Sequence, residues 1–500
     1  MKKILLAIIA SGALCGFPSC ERLLEENVFN SQNVLDFYAN KEQATIALNG
    51  VYSTLWDYIY KDGQYVIMGD IPGETVQAHQ VRNEFDLFSW TSSTPQLNNF
   101  WIACYSGINR ANTLIDRIAD ANIPAGDKDK IVGEAKFLRA LFYFHLVKVF
   151  GGVPLHLDAT LDLSGTAKAR STESEVYGQI ETDLIASASL IKDFSATDHA
   201  AGHATSGAAK ALLAKVYLQQ RKWESAAKTA REVIELGAYD LLADFSQLWD
   251  PDFKNGKEQI FSVQNGGASN LPTSSDGVYN WFVVPSVMFN GKQVDFSVVV
   301  GGTRIEIERE FDGSDPDTYR KYHSYRDEMP YYFNLGSLVK VDDTVPLERL
   351  YLVKYFHPNL NNKELRSSVN TIVVRYADIL LTYAEATNEL DGPTAEALAA
   401  VNQVRRRARA VGTEFEQPAS VYPDLQAGMS KDEFREAILT ERAREFIGEG
   451  ERRNDLIRHG RLLSSAQQQL GLNLKPGLVL YPIPDVQLSL NRLLVQNSDY

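Results

Sequence analysis

A mostly α-helical fold is expected from three features of the chain. Apolar residues recur at three- and four-residue steps up to about residue 240 and again after Val374. Two stretches read as helix pairs joined by tight turns, with small residues where the partners must approach closely. Between about residues 240 and 370 the texture changes: Gly, Asn, Ser and Pro become frequent and only short strand-like runs appear. The expected architecture is a tetratricopeptide-like helical-repeat scaffold packed against a loop-rich, variable region with a few short strands.

The elements follow in order. Residues 1–19 have a charged start (Lys2, Lys3), an apolar stretch from Ile4 to Ala13, and small or turn-forming residues after it, which is the pattern of a secretory signal. The small residues Pro18 and Ser19 precede Cys20, whereas Leu14 precedes Cys15. Cleavage is therefore expected before Cys20, leaving that cysteine as the lipid acceptor at a new N-terminus. KEQATIALNGVYSTLWDYIY places Ala44, Ala47, Leu48, Val51, Tyr52 and Leu55 on one stripe of an amphipathic helix. A second helix is expected from Phe100 to Ile118. GEAKFLRALFYFHLVKVFGGVPL is apolar around almost its whole circumference, so it should be a central, buried helix ended by Gly151-Gly152 and kept from resuming by Pro154. GAAKALLAKVYLQQRKWESAAKTAREVIELGAY fits the tetratricopeptide pattern, with Leu213, Ala214 and Tyr217 facing Ala226, Ala230 and Val233 across a turn near Arg221-Lys222. RYADILLTYAEATNELDGPTAEALAAVNQVRRRA is a second pair, turning at Asp391-Gly392-Pro393.

In the loop-rich part EQIFSVQ and SLVKVDD read as strands, and aromatic residues gather: Tyr279, Trp281, Phe282, Tyr319, Tyr322, Tyr325, Tyr331, Tyr332 and Phe333. Further on, SKDEFREAILTERAREFIGEGERRNDLIRHG is a charged helix expected to break near Gly448 and Gly450. The expected divisions are a signal (1–19), an N-terminal helical region (20–240), a loop-rich region (241–370) and a C-terminal helical region (371–500), with 20–500 forming one compact unit.

Charge and cysteine usage narrow the function. Removing residues 1–19 takes away Lys2 and Lys3 and no acid, moving the net charge from −14 to −16. That acidity argues against nucleic acid or anionic lipid surfaces as partners. Once Cys20 is acylated only Cys104 remains, read as a small buried apolar residue, so no intrachain disulfide can form. Catalytic signals are lacking: there is no phosphate-cradling glycine loop, nucleophile elbow or zinc-protease helix. His199 and His203 stand four apart in DHAAGHAT, but the loop context and Gly202 favour a solvated turn over a metal site. Glu441, Glu445 and Glu449 repeat at helical spacing, with Arg442, Arg444, Arg452 and Arg453 interleaved. Three carboxylates on one face repel unless arginines neutralise them, so this run reads as an ion-pair network locking the last helices together.

Eight segments, in order and spanning nearly the whole chain after the signal, together resemble the SusD/RagB family of outer-membrane lipoproteins of Bacteroidetes. They are EQATIALNGVYSTL, FWIACYSGINRAN, GEAKFLRALFYFHLVKVFGGVPL, ATSGAAKALLAKVYLQQRKWESAAKTAREVI, RYADILLTYAEATNEL, VNQVRRRARA, ERAREFIGEGERRNDLIRHGRL and YPIPDVQLSLNRLLVQNSDY. The resemblance implies a non-enzymatic protein without cofactor, lipid-anchored in the outer membrane and facing the cell exterior. It also implies a SusC-like TonB-dependent transporter as partner and a glycan or, in some members, a peptide as ligand. The usual lipidation box carries an aliphatic residue three before the cysteine, where this chain has Phe17; Glu21, Glu25 and Glu26 resemble the acidic surface-export signal of these bacteria. Two readings from other classes are a lipid-anchored protein–protein scaffold and a glycan hydrolase. The latter needs two carboxylates roughly 5–10 Å apart across a cleft, and the sequence nominates no such pair.

Sugars present C–H faces that stack on aromatic rings and hydroxyls that pair with carboxylates, amides and guanidinium groups, so ligand contacts are expected in loops that combine these groups. GDIPGETVQAHQVRNEFDLFSW offers Arg82, Asn83 and Trp90; SSDGVYNWF offers Tyr279, Asn280 and Trp281; PYYFN offers Tyr331 and Tyr332. The competing role for each ring is to pack its own loop down. Trp56, Trp101 and Trp223 fall on helix faces and are assigned to packing.

Overall fold

The structure, a computed structural model, describes residues 38, 40–60, 63–78, 83–160, 166–193, 201–266, 287–294, 305–334, 337–355 and 369–500, with backbone alone for 292–294 and 331–343. Helix α1 (Lys41–Ser53) starts at Asn40, whose side chain accepts from the Gln43 amide, and buries Ala44, Leu48 and Val51 of the expected stripe. A short α2 (Gln64–Gly69) precedes strand β1 (Val76–Ala78). Helix α3 (Pro95–Ile118) opens on a proline at its first position, where the missing N–H costs nothing.

Helix α4 (Ala125–Phe150) is buried at every residue from Phe137 to Val147, as its unbroken apolar circumference requires. It ends at Gly151, whose φ of 72° a residue with a side chain adopts only at a cost. Next come α5 (Glu173–Leu190), α6 (Ser206–Gln219) and α7 (Trp223–Glu235). Consecutive helices stack in turn, α3 on α4, α4 on α5, α5 on α6 and α6 on α7. The α6–α7 pair buries Leu213, Ala214, Ala226, Ala230 and Val233 at the repeat positions. One polar contact runs through the stack. Buried Arg139 of α4 makes a two-point bond with Asp183 of α5, 2.8 Å at each oxygen, and reaches Asn112 Oδ1 of α3 at 2.8 Å.

The middle of the chain supplies the sheets. Strand β2 (Gln259–Val263), within EQIFSVQ, pairs antiparallel with β8 (Thr371–Arg375). Strands β3 (Val287–Phe289) and β4 (Lys292–Val294) form a small pair. Strand β5 (Ile305–Ile307) lies between β1 and β7 in a four-stranded sheet of order β1-β5-β7-β6, with β6 at Tyr325–Asn334 and β7 at Ser337–Leu352. SLVKVDD is thus the start of a much longer strand. Two short helices, α8 (Arg309–Ser314) and α9 (Tyr319–Ser324), lead into β6.

The second helix pair is α10 (Tyr376–Asp391) and α11 (Ala395–Ala408), turning at Gly392 with φ 82°. The charged C-terminal stretch divides into α12 (Lys431–Glu445) and α13 (Arg452–Arg458), with Gly448 and Gly450 at φ 78° and 80° in the expected break. A Cβ on Gly69 of α2 would lie 2.2 Å from the Gly450 carbonyl oxygen, so α2 and this break meet backbone to backbone. Asp70 clasps the same contact, accepting from the amides of Gly450 at 2.8 Å and Arg452 at 3.0 Å. Helix α14 (Leu462–Leu470) and α15 (Asp485–Leu490) complete the chain. One core joins Ala44 of α1 to Leu494, and Cys104 is buried in it as a free thiol. No described helix is long and apolar enough to cross a membrane.

The run of acids on α12 and in the break after it forms the expected network, but with different partners. Glu441 binds Arg320 at 2.6 Å and Arg405 at 3.1 Å. Glu445 binds Arg320 at 2.8 Å, Arg375 at 2.5 Å and Arg407. Glu449 binds Lys354 at 2.7 Å and Arg375 at 2.8 Å, while Glu258 takes Arg375 and Arg407 at 3.0 and 2.9 Å. The network therefore locks α12 to α9, β8, α11 and the start of β2, well beyond the last helices. The interleaved arginines turn elsewhere: Arg442 to Asp378 and Asp455, Arg444 to Asp315, Arg452 to Glu74. A helix has two faces, and residues next to a buried glutamate point away from it.

Candidate ligand-binding cleft

An open cleft of about 510 Å³ lies beside α9 and the start of β6. Thr318 caps α9, its hydroxyl accepting from the Lys321 amide at 3.1 Å. The helix buries Arg320 and Ser324, so Tyr319 and Tyr322, three apart, share the opposite side and line the cleft. Arg320 anchors this helix from behind through Glu441 and Glu445. The aromatic wall thus stands on the buried ion network.

Each ring is held. Tyr319 stacks on Phe415, with centroids 5.2 Å apart and planes 13° from parallel, and donates its hydroxyl to Asp244 at 2.9 Å. Burial, helped by the Asp244 carboxylate, pushes that phenol up to about 12, so it stays a neutral donor. Tyr322 is 41% exposed, and the Arg326 guanidinium lies 4.4 Å from its ring centre. Burial and neighbouring Arg326 push His323 down to about 4, leaving it neutral near pH 7. Asp317, Asp327, Glu328 and Gln417 add acceptors and an amide to the walls. An exposed tyrosine face, a guanidinium and several oxygen acceptors around an open cleft suit a neutral, polyhydroxylated ligand held by stacking and hydrogen bonds.

Of the residues nominated from sequence, Asn83 and Trp90 are described with their side chains, and neither lines the cleft. Trp90 is a correction. Expected as an exposed ring, it is 3% exposed and packed against Tyr481 and Phe88, with centroids at 4.6 and 4.8 Å. Its indole N–H donates to the Tyr500 hydroxyl at 2.6 Å, so the ring fastens the C-terminus. Asn83 closes its own turn, its side-chain oxygen accepting from the amides of Phe85 and Asp86 at 2.8 and 3.2 Å. Tyr331 and Tyr332 lie on β6 opposite Lys340 and Val339, with backbone alone described. Cys20, Arg82, Tyr279, Asn280 and Trp281 lie outside the described residues, as does His199. The cleft residues Tyr319 and Tyr322 belong to the aromatic gathering already visible in the sequence. The periodic spacing in YRKYHSYRDE, with a tyrosine every third residue, is the signal that could have singled them out.

The other polar clusters have structural roles. His203 Nδ1 and the Tyr52 hydroxyl both meet Glu134 Oε2 at 2.7 Å. No group of three or more His, Cys, Asp or Glu side chains among the described residues could hold a metal ion. Burial raises Glu445, but Arg407, Arg375 and Arg320 outweigh it and hold the carboxyl well below the usual range. A carboxyl so firmly ionised is the opposite of what a general acid needs.

Residues 280–500 match the family described as the SusD family, and residues 71–218 match the one described as starch-binding, associating with outer membrane. A SusD-like protein, P25, of Formosa agariphila is 26% identical over 96% of this chain and 95% of its own. A SusD homologue from Bacteroides thetaiotaomicron has a TM-score of 0.75 at 28% identity, over 93% of this chain and 98% of that one. A laminarin-binding SusD-like protein has a TM-score of 0.72 at 25% identity, over 93% of this chain and 100% of that one.

Proposed function

Because the chain belongs to the SusD-like family, we propose that it is a non-catalytic surface lipoprotein that binds a glycan beside α9 and passes it to a SusC-like TonB-dependent transporter. The observation that carries the glycan reading is the cleft itself: Tyr322, 41% exposed and backed by Arg326, among oxygen acceptors. The laminarin-binding relative supports the ligand class, and the outer-membrane family matched at residues 71–218 supports the location. Cys20 carries the anchor, and Cys20→Ala releases the protein from the membrane fraction. Arg82, Tyr279, Asn280, Trp281, Tyr331 and Tyr332 are kept as candidate ligand contacts.

Affinity electrophoresis against a panel of polysaccharides, laminarin included, tests the site. A ring stacked on a ligand contributes about 1 kcal/mol, so Tyr322→Ala should weaken binding by about 5- to 10-fold while the melting temperature stays within a degree or two. Retention of Tyr322→Ala equal to the wild type on every polysaccharide that retards the wild type would place the ligand elsewhere.

A further inference from the structure

Inside the helical half, a cavity of about 70 Å³ lies between α2, α4, α6 and the segment joining α12 to α13. A water needs roughly 10–15 Å³ by the same measure, so the space takes several waters or one small tetrahedral ion. Most charges on its walls are matched. Lys215 is bound by Asp378 at 2.5 Å and Glu451 at 2.9 Å, and Glu449 by Lys354 and Arg375. His145 is kept neutral by burial and meets the Tyr60 hydroxyl at 2.8 Å.

Two cations remain. The Lys148 ammonium lies 4.5 Å over the Phe144 ring, and no carboxylate among the described residues is within ion-pair distance of it. Arg453 is 2% exposed; its terminal nitrogens donate to the carbonyls of Lys148 and Val479, and its Nε is buried without a partner. The fully buried Arg320, Arg375 and Arg442 are raised by adjacent carboxylates, whereas burial lowers Arg453. Burial also brings Lys148 down to about 8, which still leaves it mostly charged at pH 7. Glu451 on the same wall and Asp378 draw on the Lys148 ammonium only from beyond ion-pair distance, so the two neighbouring cations are incompletely matched, and an anion between them would complete the match.

We propose that this cavity binds a small inorganic oxyanion, phosphate or sulfate, between the Lys148 ammonium and the Arg453 guanidinium. The guanidinium lies over the Tyr481 ring with its terminal nitrogens on carbonyls, so the donors left for an oxyanion are the Arg453 Nε–H and the Lys148 ammonium, both charge-assisted. This site is independent of the glycan cleft.

Isothermal titration of the protein with sodium phosphate and with sodium sulfate at pH 7 tests it, with ionic strength held by sodium gluconate, an anion too large for the cavity. Saturable one-to-one binding of either ion is expected, weakened at least tenfold in Lys148→Met and retained in Lys148→Arg. Bound anion should also raise the melting temperature of the wild type and not of Lys148→Met. Absence of saturable heat with both ions, meaning that water alone fills the cavity, overturns the proposal. Equal binding by the wild type and Lys148→Met, meaning an adventitious surface site, overturns it as well.

Discussion

Replacing Glu445 with Gln removes one negative charge from the buried network while keeping the shape of the side chain. In the native protein this carboxylate accepts from Arg375 Nη1 at 2.5 Å, from Arg320 Nη1 at 2.8 Å, and from Arg407. With Gln in place, Arg320, Lys354, Arg375, Arg405 and Arg407 face Glu258, Glu441 and Glu449 alone, and the new amide turns a donor toward guanidinium donors. No arginine is stranded completely: Arg320 keeps Glu441 at 2.6 Å, Arg375 keeps Glu449 at 2.8 Å, and Arg407 keeps Glu258 at 2.9 Å. Breaking a buried ion pair outright costs about 3–5 kcal/mol, so the residual pairing places this variant at the lower end, about 3 kcal/mol. Urea unfolding should show a lower midpoint at unchanged slope, the signature of lost stability rather than altered compactness. Glu436→Gln is the internal comparison, because its bond to Arg461 joins side chains 51% and 41% exposed. A pair so open to solvent contributes less than about 1 kcal/mol. If the two variants unfold within about 1 kcal/mol of each other, the claim that desolvation makes the α12 network decisive is refuted.

Two further outcomes follow from the packing around α2 and the C-terminus. Trp90→Ala should cost about 3–5 kcal/mol by emptying a buried ring site, and Trp90→Phe about 1 kcal/mol for the lost bond to Tyr500. Thermal unfolding reads the first two effects, and glycan affinity measured on Trp90→Phe should stay at the wild-type value. Burial raises the Asp70 carboxyl to about 7 against the pull of the Arg452 and Gly450 amides. Its folded value lies above its unfolded value of 3.8, so its contribution is complete below the unfolded value and is lost as pH rises through 7. Between pH 5 and 8 that loss is about 2.5 kcal/mol. The difference in stability between wild type and Asp70→Asn across this range isolates it from His145 and His323, whose lowered values act in the opposite direction. A difference that does not change with pH would show that Asp70 stays ionised.

The helical half was legible because burial imposes a period on the sequence. α4 had to be central, since residues such as Leu138, Phe142 and Leu146 leave it no polar face. Gly151, Gly392 and Gly448 marked their turns through the backbone conformations that glycine permits. The network was legible as a need for counter-charge but not as a set of pairs, because Arg320 and Glu441 are 121 residues apart and nothing local couples them. Candidate ligand rings were the least legible. Trp90 and Tyr322 both follow turn-rich sequence, and only the C-terminal tail arriving over the first decides that it is buried at 3% while the second stays 41% exposed.

The carboxylates of α12 come late in the chain, and the cations they neutralise come early. During synthesis Arg320, Arg375, Arg405 and Arg407 emerge before Glu441 and Glu445 do. Until then only Glu258 and other local acids can accompany them, and desolvating the remainder is prohibitive. Closure of the middle region over the helical half therefore waits for α12. A chain truncated before Glu441 should therefore fail to bury these arginines, so the packing of α9, β8 and α11 depends on a helix that follows all three in sequence.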